Sequence, residues 1–419
     1  MVATVSPATV MVEGGDALKK ALRRTERRRK VGAFSLVTPL LLYVLVFFLL
    51  PLGKMFWLSV ANQTVPQYLP RTVQAIKNWS PPGLPSEATY EALAQDLKVA
   101  RKAHTFGRIA KRLNEEVPGM FAVFNKSAMR ASSLEHGPWK EAMIDIDKHW
   151  GDVSTWQLLK RESRPFTLDF YLAALDLRYD SHGNIVREES YNRVYVPLFI
   201  RTFWMSAAIM VLTLLLGYPL AYWLTSMPER TSNLLMIGVL LPFWTSLLVR
   251  TTAWIVLLQD HGVINNLLVF GHAVGDQNRP KLIYNQLGTI IVMTQVLLPF
   301  MILPLYSVMK GIPPSYMRAA VSLGARPARA FWKVYAPLTL PGIGAGGLLV
   351  FILSIGYYIT PELVGGQTGQ FISNMIAFNV QESLNWGLAA ALGTILTVTA
   401  LAFYVIYNRI VGVGRISIG

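Results

Sequence analysis

Cysteine is missing from all 419 residues, which excludes disulfide staples and every thiol chemistry. Histidine is down to six, and four of those (His104, His136, His149 and His182) are scattered through one polar segment at no metal-ligand spacing, so they read as solvated or structural. Charge is scarce: Asp, Glu, Lys and Arg make up 15% of the chain, against about 25% in ordinary soluble domains. The shortage falls on the acids, 24 against 39 basic residues, and leaves a formal charge of +15. Catalytic signatures are lacking too, since no GxxxxGK[ST] nucleotide loop, HExxH zinc pair or GxSxG elbow occurs.

What is plentiful is apolar surface, with 53% hydrophobic residues arranged in long uncharged runs. The first, VGAFSLVTPLLLYVLVFFLLPLG, holds 23 residues from Val31 without a charge. At about 1.5 Å per residue it crosses roughly 30 Å of hydrocarbon. It is longer than the core of a secretory signal, and no clean small-x-small site follows, so an uncleaved anchor is expected. Comparable runs recur at 196–224, 234–258, 287–309, 343–360 and 386–407. The pattern predicts an all-α integral membrane protein with six transmembrane helices.

The placement of the basic residues decides what the positive charge is for. Eight of them (Lys19, Lys20, Arg23, Arg24, Arg27, Arg28, Arg29 and Lys30) directly precede the first run, whereas 56–195 carries 18 basic against 16 acidic residues. No basic domain is left over for nucleic acid; anionic membrane lipids are the expected partner. By the positive-inside rule the N-terminus is cytoplasmic, and six spans return the tail with Arg409 and Arg415 to the same side. The loop after the fourth span follows suit, with Lys310, Arg318, Arg326, Arg329 and Lys333 and no acid.

The chain therefore divides into a basic cytoplasmic segment 1–30, a first span 31–54, an extracytoplasmic insertion 55–195, a core 196–409 of five spans with an inner loop 310–341, and a cytoplasmic tail 410–419. A disordered start and a short, frayed helix are expected within the first 30 residues. The insertion is expected to be mostly helical, from stretches such as EALAQDLKVARKAHTFGRIAKRLNEEV, around a modest core anchored by Trp79, Trp139, Trp150 and Trp156.

Proline and glycine are frequent within the spans (Pro39, Pro219, Pro242, Pro299, Pro304, Gly346, Gly347), and freed carbonyls in lipid need a neighbour or a cavity. Together they favour a bundle surrounding a path. Arg250, close to an uncharged run, is costly unless it snorkels, pairs or lines water. Two readings stay open for it: outer headgroups, or a hold on the outer mouth against Asp260 or Glu362. Arg201 reads as an interface anchor.

The inner loop reads PPSYMRAAVSLGARPARAFWKVYAPLTLPG from Pro313. Pro313, Pro314 and Ser315 are helix-start signals, and Met317, Ala320, Val321 and Gly324 fall on one face at helical spacing. A second short helix, ARPARAFWKVYAPL, is expected to offer Phe331, Trp332 and Tyr335 as knobs. An interfacial helix on anionic headgroups and a docking element for a cytoplasmic partner both fit this composition.

The loop also resembles the EAA loop of ABC-importer permeases, a Glu-Ala-Ala with a glycine four residues on and a later Leu-Pro. Here these are Arg318-Ala319-Ala320, Gly324 and Leu340-Pro341, with arginine in place of the acid. GYPLAYWL (217–224), LPFWTSLLVRTTAWIVLLQDHGVINNLL (241–268), LLPFMILPLYSVMKGIPPSYMRAA (297–320), GYYITPELVGG (356–366) and NWGLAAAL (385–392) look like the first permease subunit of the spermidine/putrescine branch. The likeness covers 31–54 and 195–409 and leaves the insertion aside.

This resemblance implies a type I importer permease of the bacterial inner membrane, driven by two cytoplasmic ATP-binding subunits that hold the ATP and Mg, with no cofactor or metal in the chain itself. It further implies a second permease subunit of different sequence and an extracytoplasmic solute-binding protein, with alternating access as the mechanism. Carried onto this sequence, the coupling helix uses Met317, Arg318, Ala319, Ala320, Gly324, Ala325, Phe331, Trp332 and Pro341. A cationic cargo suits Glu362 and the aromatic faces of Trp244, Trp254, Tyr357 and Tyr358, and an acidic cargo suits Arg250. Other small solutes (an amino acid, an opine, an iron chelate) are the alternative cargo; a scaffold acting through the insertion is the alternative of another class. A secondary transporter lacks the buried acids that an ion relay needs.

Overall fold

The computed structural model describes residues 8–134, 136–180 and 183–411. Expectations placed on His182, on Arg415 and on the tail beyond residue 411 fall outside them, as do the side chains of Lys19, Lys20, Arg23 and Arg28. The chain forms two units, one ending at Trp57 and one starting at Leu58.

In the first unit the helix Ala8–Val44, a π turn Leu45–Leu49 and the helix Leu50–Leu58 follow one another without a break. The separate frayed helix expected before the span is thus part of it from Ala8. Apolar side chains such as Leu36, Leu40 and Phe47 are exposed. A helix hydrophobic on all sides finds its solvent in lipid.

The second unit opens with the inserted domain, which is mostly helical and has its own core. In Glu87–Lys102 the buried Tyr90, Leu93, Ala94 and Leu97 recur at helical spacing and face Ile109, Leu113 and Phe124. Trp150 and Trp156, both fully buried, sit at its centre with ring centroids 5.6 Å apart, and Tyr90 lies 4.6 Å from Trp156. Their polar edges are satisfied: Trp150 Nε1 donates to Ser127 Oγ at 2.7 Å and Trp156 Nε1 to the Trp150 carbonyl at 3.0 Å. Trp79 and Trp139 pack on the rim. A two-stranded ribbon, Leu177–Tyr179 against Ile185–Arg187, closes the domain.

That domain stands on the membrane core. Phe170 and Ala174 pack with Leu198, Phe199, Ile372, Leu388 and Leu392, and the Asp176 carboxylate accepts from the backbone N–H groups of Val194, Tyr195 and Val196 at 3.1, 3.0 and 2.8 Å. An acid on the free N–H groups of a helix start caps the second span where it leaves the domain.

Among the described residues, six helices are long and apolar enough to cross a membrane. The second, fourth and fifth (Tyr195–Thr225, Gln286–Lys310 and Pro327–Gly356) pack closely because glycine lets them. A Cβ at Gly346 would stand 2.8 Å from the Met301 sulfur, and one at Gly217 3.2 Å from Met301 Cγ.

Two expected spans differ. The run 234–258 is not one helix: Glu229–Leu240 ends in a 3-10 turn at Leu241–Trp244, the chain is extended at Thr245 and Ser246, and Leu247–Leu258 begins anew. The apolar stretch that qualifies as a span is Leu247–Phe270. The fifth helix stops at Gly356 rather than 360, with Tyr357 extended. At its other end Pro327–Ala330, a π turn Phe331–Tyr335 and Ala336–Gly356 run on continuously, so the expected second short loop helix is the first part of the fifth span.

Candidate functional site

At the end of the bundle away from the inserted domain, the helix Pro314–Ser322 fills the loop between the fourth and fifth spans. Its end is built by Gly324: with φ +90, the Gly324 N–H bonds the Val321 carbonyl at 2.9 Å and the Ala325 N–H reaches back to Ala320 at 3.1 Å. This paired closure requires a left-handed residue, which glycine adopts without strain. Met317 and Ala320 are half-buried, whereas Val321, Leu323 and Gly324 are exposed. The expected single face is divided: Val321 is exposed although it lies within the helix, and Gly324 lies past the helix end. Arg318, at the position of the acid, is exposed and has no ion pair among the described residues.

Of the three aromatics expected as knobs, Trp332 is 72% exposed but Phe331 and Tyr335 turn inward. Phe331 meets Tyr222 of the second span edge-on at 5.6 Å and Tyr335 at 5.6 Å, and Tyr222 meets Tyr335 at 5.3 Å. The start of the fifth span is therefore keyed to the second span. Beside it Lys310 pairs with Glu229 at 3.3 Å, tying the fourth span to the start of the broken one. Ala319 and Pro341 complete the residues named for this loop; Ala319 is exposed and Pro341 half-buried.

Higher in the bundle, the broken span lies against the middle of the fourth. A cavity of about 310 Å³ is lined by Gly238, Val239 and Pro242 on one side and Gln295, Leu298 and Pro299 on the other. Arg250 closes the break. Its Nη2 donates to the Pro242 carbonyl, and to the Thr245 carbonyl at 3.2 Å. A guanidinium with five donors suits a cluster of freed carbonyls. Neither Asp260 nor Glu362 forms an ion pair with it among the described residues; backbone carbonyls hold the guanidinium in place of the acids that one of its two readings named. Trp254 points into the bundle and donates to Gln295 Oε1 at 3.1 Å, while Trp244 is 80% exposed.

Between the fifth and sixth spans the chain folds back on itself. Glu362 Oε2 accepts from Asn374 Nδ2 at 2.6 Å and Gln370 Nε2 at 3.3 Å. Asn374 also bonds the Tyr358 carbonyl at 2.9 Å, and Ser373 the Tyr357 carbonyl at 2.5 Å. The segment is pinned to the fourth span by glycines: a Cβ at Gly369 would lie 2.5 Å from Thr289 Oγ1. Arg201 reaches it from the second span, donating to the Gln367 carbonyl at 3.0 Å.

Tyr357, Tyr358 and Glu362 are thus held in one segment, and Arg250 and Trp254 share the helix Leu247–Leu258, which touches that segment through Thr251 and Thr360, 3.5 Å apart. Trp244 stands apart on the exposed side of the break. Sequence reading missed Gln295, Asn374 and Tyr222. An amide inside the run IVMTQVLLPF is itself a signal, since lipid-facing helices avoid one.

Residues 214–413 match the model of the family described as binding-protein-dependent transport system inner membrane component. The spermidine/putrescine transport system permease protein PotB of Haemophilus influenzae is 36% identical over 226 residues, which is 53% of this chain and 78% of that protein. The inner membrane ABC transporter permease protein YdcU of Escherichia coli is 32% identical over 232 residues, 53% of this chain and 74% of that one. Among solved structures, a bacterial ABC transporter involved in the import of the acidic polysaccharide alginate superposes with a TM-score of 0.40 at 20% identity, over 52% of this chain and 79% of that one.

Proposed function

The chain belongs to the binding-protein-dependent transport system inner membrane components, and on that premise we propose that it is the permease subunit of an ATP-driven importer of polyamines such as spermidine and putrescine. As a permease it is a multi-pass protein of the inner membrane and not itself the ATPase. The cargo follows a relative at 36% identity, the spermidine/putrescine permease protein PotB of H. influenzae. The partners are two cytoplasmic subunits that bind ATP and Mg, a second permease subunit of different sequence, and a solute-binding protein. Both termini and the Pro314–Ser322 helix face the cytoplasm, and the inserted domain faces the periplasm.

One observation carries the mechanism: the loop helix ends at Gly324, and the start of the fifth span that follows it meets the second span through Phe331 and Tyr222. Closure of the ATPase pair on ATP moves the loop, the second and fifth spans follow, and the bundle opens to the other side. The loop must bind the two ATPase states with different affinity, because a ligand shifts an equilibrium only by its differential affinity. Across the bundle the broken span beside Gln295 gives polar backbone at mid-depth, where lipid tolerates it only against protein or a water-filled path. The test is ATP-dependent uptake of labelled spermidine by the assembled complex in proteoliposomes, with alanine replacing Phe331 or Tyr222. Loss of uptake with assembly retained supports the reading; unchanged uptake in both variants overturns the loop's role.

A further inference from the structure

A cavity of about 450 Å³ lies where the inserted domain meets the start of the second span and the sixth span, with Tyr195 and Leu388 in its wall. That size falls in the range of small-molecule sites, roughly 300–1,000 Å³. Six carboxylates line it: Glu115, Glu116, Asp169, Asp176, Glu188 and Glu189. Three tyrosines, Tyr179, Tyr191 and Tyr195, stand among them.

The protein's own cations do not balance these acids. Asp176 is satisfied by the three N–H groups of the second span. Glu188 and Glu189 share Arg178, at 3.4 and 3.6 Å. Arg112 already holds Glu116 at 2.7 Å and the fully buried Glu162 at 2.9 Å, which leaves Glu115 with a distant 3.7 Å contact to it. Lys111, one residue before Arg112, is turned to the Ser383 carbonyl. Asp169 is 4% exposed, and its Oδ2 has no hydrogen-bond donor; the nearest cations, Arg161 Nε and Arg112 Nη2, stand at 3.6 and 3.8 Å. Burial pushes the Glu115 carboxyl up to about 7 against the pull of Arg112 and Lys111. Asp169, Asp176 and Glu116 are largely screened from water, Glu115, Glu189 and Tyr191 stand at the accessible rim, and acids that outnumber their cations beside tyrosine rings form a site for ammonium groups.

We propose that this cavity binds an aliphatic polyamine, as a holding site of the inserted domain separate from the passage through the bundle. The assignment rests on the reading of the cargo given above. The two acid groups, Glu115 and Glu116 on the helix Phe106–Glu116 and Glu188 and Glu189 after the strand Ile185–Arg187, come from different elements. A chain with an ammonium at each end engages both, whereas a compact metal ion engages one.

The test is equilibrium dialysis of spermidine against the purified full chain in lipid nanodiscs, without binding protein or ATPase. The proposal expects saturable binding of one spermidine, weakened about tenfold by Glu115→Gln with Glu189→Gln. It expects no change with Glu141→Gln and Asp145→Asn, an equal loss of charge on exposed residues elsewhere in the domain. Independently of any variant, spermidine should protect Glu115 and Glu189 of the natural chain from carbodiimide labelling. Absent binding, equal weakening by the control pair, no protection, or displacement of spermidine by equimolar magnesium overturns it. Spermidine uptake by the assembled complex is scored separately: uptake without binding at this cavity defeats the holding site alone, and a complex that imports no polyamine defeats the cargo reading.

Discussion

Arg250 Nη2 donates to the carbonyl oxygen of Pro242, in the 3-10 turn that separates the helix Glu229–Leu240 from the third span. The proline removes a helical N–H, the helix ends two residues later, and the arginine answers the carbonyls of Pro242 and Thr245 left at that end. Thr245 assists by bonding Pro242 with its hydroxyl at 2.8 Å. Replacing Arg250 with methionine keeps the stem and deletes the donors, which should destabilise the chain by about 1–3 kcal/mol and lower uptake. Lysine should restore part of both, being a single-point donor. Thermal unfolding in nanodiscs beside transport assays measures this; a methionine variant equal to the natural chain would mean that the carbonyls find water instead.

A Cβ at Gly324 would meet no atom of the described residues within 4 Å. The cost of substitution is conformational, about 1–2 kcal/mol for an ordinary residue at positive φ. Gly324→Asn, which tolerates that conformation, should retain much of the uptake, and Gly324→Val should lose it, with membrane insertion equal in both. Equal loss in both variants would point to steric exclusion by a partner rather than to the turn.

Phe170 lies so close over Gly387 that a Cβ would come within 2.3 Å of Cζ. Gly387→Ala should loosen the inserted domain from the sixth span, and Phe170→Leu in the same chain should recover part of the loss. The interaction is read from a double-mutant cycle of thermal stability, with a coupling of roughly 0.5–3 kcal/mol for residues in contact. Strict additivity would contradict the contact.

Glu115 binds its proton more tightly in the folded chain, at about 7 against an ordinary 4.5. Burial is the main cause, opposed by Arg112 and Lys111 and aided by Glu116. The folded state therefore holds more protons than the unfolded one between these values, and stability contributed by this group falls as pH rises from about 4.5 to 7. Asp96 and Glu162 are shifted the same way by burial, so the natural chain alone does not isolate Glu115. Glu115→Gln should flatten the pH dependence of melting in that window and raise stability at pH 8. An unaltered profile would contradict the shift.

Much of the membrane core is legible in the sequence because length and apolarity suffice to mark a span: Tyr195–Thr225, Gln286–Lys310 and Trp386–Arg409 lie close to the runs that predict them. The break at Pro242 is not legible, since Pro299 and Pro304 sit inside an unbroken helix of the same composition. What separates them is local: Thr245 and Arg250 offer the freed carbonyls other partners. The inward turn of Phe331 depends on Tyr222, more than a hundred residues earlier, and periodicity carries no such information. The acidic cavity escapes notice for the same reason, its walls being drawn from Glu115, Asp169 and Glu189 on separate elements.

Import requires that force from ATP reach the bundle through this chain. The direct measurement is accumulation of labelled spermidine in proteoliposomes that hold the chain with its second permease, ATPase subunits and binding protein. The account predicts accumulation only when ATP is supplied on the side of the Pro314–Ser322 helix. Accumulation without ATP, or with ATP supplied only on the side of the inserted domain, would contradict it.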